Sequence, residues 1–152
     1  MNVKTTLLLL TALLLTSCGS SRKTSVNEES ALQFDKEQVW QLVSIRGKEV
    51  KSSDGVVTLM FYPEGNAIRG LIACNRYFAD YTMRFNKVSP EGSHYELKIT
   101  DLSGGDVQCP EGDMAVQDRY LALLEKSHAC LLTPYTLTLF RNGKEVLKYE
   151  LQ

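Results

Sequence analysis

The sequence predicts an α+β fold, a mostly antiparallel curved sheet or partial β-barrel with one amphipathic helix packed on it. Three observations lead there. From about Gln38 onward, short apolar runs rich in β-branched and aromatic residues alternate with Gly and Asn turns. One later segment, residues 112–127, abandons that period of two for spacings of three and four. The chain has 152 residues, 43% of them hydrophobic, which suits one compact core and is too short for two.

The elements follow in chain order. Residues 1–17 carry one positive charge, Lys4, and then an apolar run over residues 7–15 that ends at Thr16 and Ser17. A spanning helix needs about 20 apolar residues, so this run reads as a secretory signal and not as a permanent transmembrane segment. Leu15-Thr16-Ser17-Cys18 resembles the bacterial lipobox, which implies cleavage before Cys18 and a lipid on its thiol. The expected result is a domain held at a membrane by acyl chains, each buried methylene contributing about 0.8 kcal/mol. Gly19 in place of Asp favours the outer membrane of a Gram-negative bacterium by resemblance to sorting rules, with the leaflet undecided. Residues 18–37 are polar and without apolar period, the signature of a flexible spacer.

The domain proper is expected over residues 38–152. Residues 39–45 (VWQLVSI) place Trp40 and Leu42 on one face, as a half-buried strand requires. Residues 56–62 and 67–73 form a hairpin across Pro63-Glu64-Gly65-Asn66. Further strands are expected at about 77–85 and at 94–100. In the helical segment, Val116, Tyr120 and Leu123, with Gln117, Leu121 and Leu124, make an apolar stripe, and Asp113 and Lys126 suit the helix dipole. Asn142-Gly143 between residues 135–141 and 144–151 is the strongest hairpin signal, since a type I′ turn needs positive φ at both positions.

Composition and motifs exclude several kinds of chemistry. With 17 basic and 18 acidic residues, the formal charge of −1 offers no phosphate-driven grip on nucleic acid. His128 and Cys130 lie two apart, but His94 is the only other histidine, so neither a zinc site nor a thiol nucleophile is expected. Asp101, Asp106, Glu111 and Asp113 cluster around a Gly-rich loop; their irregular spacing matches no calcium loop, and one of them is expected to cap the helix. No hydrolase, P-loop or dinucleotide motif occurs. No catalytic residue, metal ligand or cofactor is expected.

An ordered set of motifs then resembles the META/HslJ family of small bacterial domains. Trp40-Gln41-Leu42 with Gly47 matches its opening strand, and Phe61, Gly70 and Cys74-Asn75-Arg76-Tyr77 with Tyr81 match its centre. Ile99-Thr100-Asp101 leading to Cys109, the helix, and Leu137-Thr138-Leu139 complete the series. Ala73 departs from the family pattern, which often has Gly before the first Cys; Gly104-Gly105-Asp106 lengthens the approach to Cys109, and Cys130 is extra. The resemblance implies a Cys74–Cys109 disulfide, an envelope protein and an association with envelope stress and heat shock. Cys109 with Cys130, or three reduced core thiols, are the alternatives that the residues leave open.

Asn75, Arg76, Tyr77 and Tyr81 form either a structural lock at a strand end or a recognition patch. Two functions are accordingly expected: a tethered, non-enzymatic domain that binds another envelope component, or a carrier of a small hydrophobic ligand in the curled sheet. They differ in whether Trp40, Leu42, Leu59, Phe61 and the helix fill the concave side. Expected partners are thus the membrane, through Cys18, and an envelope protein or small hydrophobic ligand.

Overall fold

The computed structural model describes residues 32–34, 38–51 and 55–152. The leader, Cys18 and most of the spacer lie outside the described residues. Among those described, the chain forms β1 (Trp40–Ile45), β2 (Lys48–Glu49), β3 (Thr58–Tyr62), β4 (Ala67–Ile72), β5 (Asn75–Ser89), β6 (Gly92–Gly104), α1 (Glu111–Glu125), β7 (Ala129–Leu132), β8 (Thr136–Arg141) and β9 (Lys144–Leu151).

Every strand pairs antiparallel with its neighbour, and β9 returns to β1 through Trp40↔Leu151, Leu42↔Tyr149 and Ile45↔Leu147. Eight strands thereby close into a barrel, with β2 as a two-residue ribbon on β1. The expected curved sheet is therefore fully closed and not partial, because closure leaves neither β1 nor β9 as an unpaired edge. Along β5 the odd residues from Asn75 to Tyr81 face inward and the even ones outward.

The turns obey the chemistry of their residues. Asn142 and Gly143 both have positive φ, 50° and 71°, as the β8–β9 hairpin requires. Arg46 and Gly47 make the same kind of turn between β1 and β2, at 50° and 73°. Gly70 sits where an added Cβ would strike the Thr58 carbonyl oxygen and the Tyr77 ring, so only glycine lets β4 lie this close.

The interior is packed with Trp40, Leu59, Phe61, Ile68, Tyr77 and Tyr149, all essentially inaccessible. Each such large side chain contributes about 1.5–3 kcal/mol by leaving water. β6 pairs with β7 only from Ser93 to Glu96, and α1 packs against β6 and β9, with Leu121 and Gln117 beside Gly104. Gln117, Tyr120, Leu123 and Leu124 form the buried side of α1. The acidic cluster does not cap it: Pro110 occupies the N-cap and makes no side-chain bond, its ring offering no acceptor. Instead the Asp113 N–H donates to the Pro110 carbonyl at 2.9 Å.

Candidate binding surface

Cys74 and Cys109 are bonded to each other, their Cα atoms 5.8 Å apart, and pin the loop before α1 to the β4–β5 turn. Asn75 reinforces that junction from inside. Its amide nitrogen donates to the Val107 carbonyl and to Gln117 Oε1, both at 2.9 Å, while its Oδ1 accepts from the Val107 N–H at 3.1 Å. All three bonds serve the protein's own loop and helix. The recognition patch suggested by Asn75, Arg76, Tyr77 and Tyr81 is therefore not a surface: Asn75, Tyr77 and Tyr81 are buried by strand alternation, and Arg76 alone faces solvent.

Tyr77 belongs to a buried chain of hydroxyls. It donates to the Thr58 carbonyl at 2.7 Å and shares a 2.7 Å hydrogen bond with Tyr120, which accepts from Tyr149 at 3.0 Å. Burial, foremost, pushes all three phenols well above their usual range, so they stay protonated donors. Their hydrogen bonds tie α1 to β5 and β9.

The remaining chemistry-bearing residues do not assemble. Cys130 is buried, and desolvation pushes its thiol up to about 12, which suits a core residue. His128 is exposed, and its Nε2 accepts the Asn142 N–H at 2.8 Å. His94 meets Ser89 instead, at 2.9 Å. Among the described residues, no group of three or more His, Cys, Asp or Glu is placed to hold a metal ion.

What faces outward on β3, β4 and β5 is more informative. Met60, Arg69, Phe78 and Ser103 lie in one row across four strands, and Leu71 stands opposite Arg76 in the next. Leu71 is 43% exposed and Phe78 48%, each beside an exposed arginine. The Arg69 guanidinium lies 4.8 Å from the centre of the Tyr62 ring, which orients it. Aromatic residues, Met and Arg are the types enriched in the centres of protein interfaces. Inspection for polar motifs misses this face. Its signal is present in the sequence nevertheless: Leu71 and Phe78 are apolar at positions that the alternation assigns to solvent.

A family model described as META domain matches residues 30–152. Among solved structures, one determined by NMR is 26% identical, covers 76% of this chain and 90% of its own, and superposes with a TM-score of 0.52. A second NMR structure, from Burkholderia xenovorans, is 19% identical, covers 86% of this chain and 97% of its own, and has a TM-score of 0.57. The second likeness is one of fold. No curated protein matches the chain. No helix among the described residues is long and apolar enough to cross a membrane.

Proposed function

The chain belongs to the META domain family, and from that premise we propose that it is a non-enzymatic envelope lipoprotein that binds a protein partner through the outer face of β3, β4 and β5. The observation that carries this reading is the pair Leu71 and Phe78, exposed side by side with Arg69 and Arg76. Removing those two apolar side chains from water drives association, and the arginines select a partner surface carrying carboxylates. A lipid on Cys18 and the spacer residues that precede Leu32 keep the domain near its membrane, in the reading from the leader sequence. Outer-membrane residence and a part in the envelope stress response belong to the same proposal.

Trp40, Leu42, Leu59 and Phe61, with Tyr120, Leu123 and Leu124 of α1, are all buried in one cluster. That filling supports surface binding over a carrier with its ligand in the barrel centre. A photoreactive amino acid at position 78, introduced in cells, tests the proposal. It is expected to yield a discrete crosslinked product that Arg69→Glu abolishes. Absence of a product, or the same product from exposed position 125, would overturn it.

A further inference from the structure

The barrel carries a second feature, independent of the outer face. Residues 32–34 form no strand, yet Phe34 is inserted against the barrel. Its ring stacks on Phe61 with centroids 4.0 Å apart, meets Trp40 edge-on at 6.2 Å and lies 6.3 Å from Tyr95. The backbone two residues before this insertion is held by side chains: the Leu32 N–H donates to Ser93 Oγ at 2.9 Å, and the Tyr95 hydroxyl donates to the Leu32 carbonyl.

Beside Phe34 a recess of about 240 Å³ remains, lined by Pro63, Asn66, Tyr81, Met83, Phe85 and Tyr95. None of its described lining residues is charged. Trp40, 1% exposed, carries the one buried side-chain nitrogen or oxygen among the described residues that lacks a hydrogen-bond partner, its indole N–H. Such a donor leaves its desolvation unanswered. A strap fixed by two hydrogen bonds and an aromatic slot thus meet at Phe34, whose ring also touches that of Trp40.

We propose that this recess is a binding site for a small neutral aromatic compound bearing a hydrogen-bond acceptor, and that Phe34 is its displaceable internal occupant. The ligand's ring takes the place of the Phe34 ring against Phe61, and its acceptor takes the Trp40 N–H. A charged ligand is disfavoured, since no described lining residue offers it a counter-charge. The ring preference follows from the aromatic groups that face the slot, which favour stacked and edge-on contacts. Because occupation by Phe34 competes with the ligand, affinity rises when the strap is released.

Trp40 is the only tryptophan in the chain, so its emission reports on the slot directly. Titration with the neutral fluorophore N-phenyl-1-naphthylamine is the test. Phe34→Ala is expected to bind it at least about tenfold tighter than the wild type, with Trp40 emission quenched in step. Tyr95→Phe, which keeps the Phe34 ring but loses the bond to Leu32, is expected to tighten binding by a smaller factor, and decides the matter should Phe34→Ala not fold. Quinoline is expected to displace the probe from Phe34→Ala several-fold better than naphthalene of the same shape. Equal affinity in wild type and variants, or binding that leaves Trp40 emission unchanged, would overturn the site. Equal displacement by the two competitors would overturn the role of the Trp40 N–H.

Discussion

Ala73 turns the chain from β4 into β5 with φ of 53°, a left-handed conformation in which a Cβ crowds the backbone. The position was marked in the sequence by its departure from the family's glycine. Ala73→Gly is therefore expected to stabilise the domain by about 1 kcal/mol, and a raised denaturant midpoint would be the sign of it. Asn75→Ala acts oppositely. It removes three hydrogen bonds and leaves the buried Gln117 Oε1 without the Asn75 amide, for an expected loss of about 1–3 kcal/mol in the same assay. Cys130 gives the domain a pH signature. Its thiol titrates near 9 when unfolded but only at about 12 in the barrel. The unfolded chain thus loses its proton first, and stability that is constant below pH 9 falls above it by about 1.4 kcal/mol per unit until the folded value is reached. Denaturant melts at pH 8 and pH 10 are expected to show this decline in the wild type and less of it in Cys130→Ala. The three buried tyrosines have raised values as well, so their contribution falls above about pH 10.

At the scale of elements, α1 is held by the buried hydroxyl chain through Tyr120, by the Asn75–Gln117 hydrogen bond and by one covalent link before its first turn. Tyr120 is the shared partner of Tyr77 and Tyr149, so Tyr120→Phe leaves the Tyr149 hydroxyl without its acceptor. The expected cost is about 1–3 kcal/mol, read as a lower thermal midpoint with the far-ultraviolet spectrum retained. The Cys74–Cys109 bond closes a separation of 35 residues, for which loop-closure entropy gives about 3–4 kcal/mol. Reduction of the wild type is expected to lower its midpoint by a corresponding amount and to leave a Cys74→Ser, Cys109→Ser double variant unmoved. Strands with clean alternation and the turns at Asn142-Gly143 and Pro63-Glu64-Gly65-Asn66 were legible beforehand. β7 was not, because Ala129-Cys130-Leu131-Leu132 contains no polar residue to set a period of two. β5 and β6 run longer than their expected spans because Lys87, Ser89 and Gly92 look like turn residues yet pair in a hairpin extension. A strand there depends on a partner, which local composition does not record.

For the whole molecule, the closure of the barrel was the least legible property, since it rests on residues such as Trp40 and Leu151 that are remote in the chain. Likewise Phe78 gains meaning only once β4 sets Arg69 opposite it. The proposed anchoring belongs to the scale of the molecule as well. Cys18→Ala is expected to move the protein from the membrane pellet to the soluble fraction, and an unchanged pellet would remove the lipobox reading. The meeting of β1 and β9 has one further consequence. The Gln152 N–H donates to the Val39 carbonyl at 2.9 Å, so the barrel begins and ends at the same point on its rim. The break in the covalent ring is then a seam with no privileged location. A short linker from 152 to 38, with new ends opened at Asn142-Gly143, would give a circularly permuted barrel with the same wall. The proposed lipid leash would then emerge from the other end of β9, about 27 Å away for eight residues of strand, and would present the opposite rim of the barrel to a membrane.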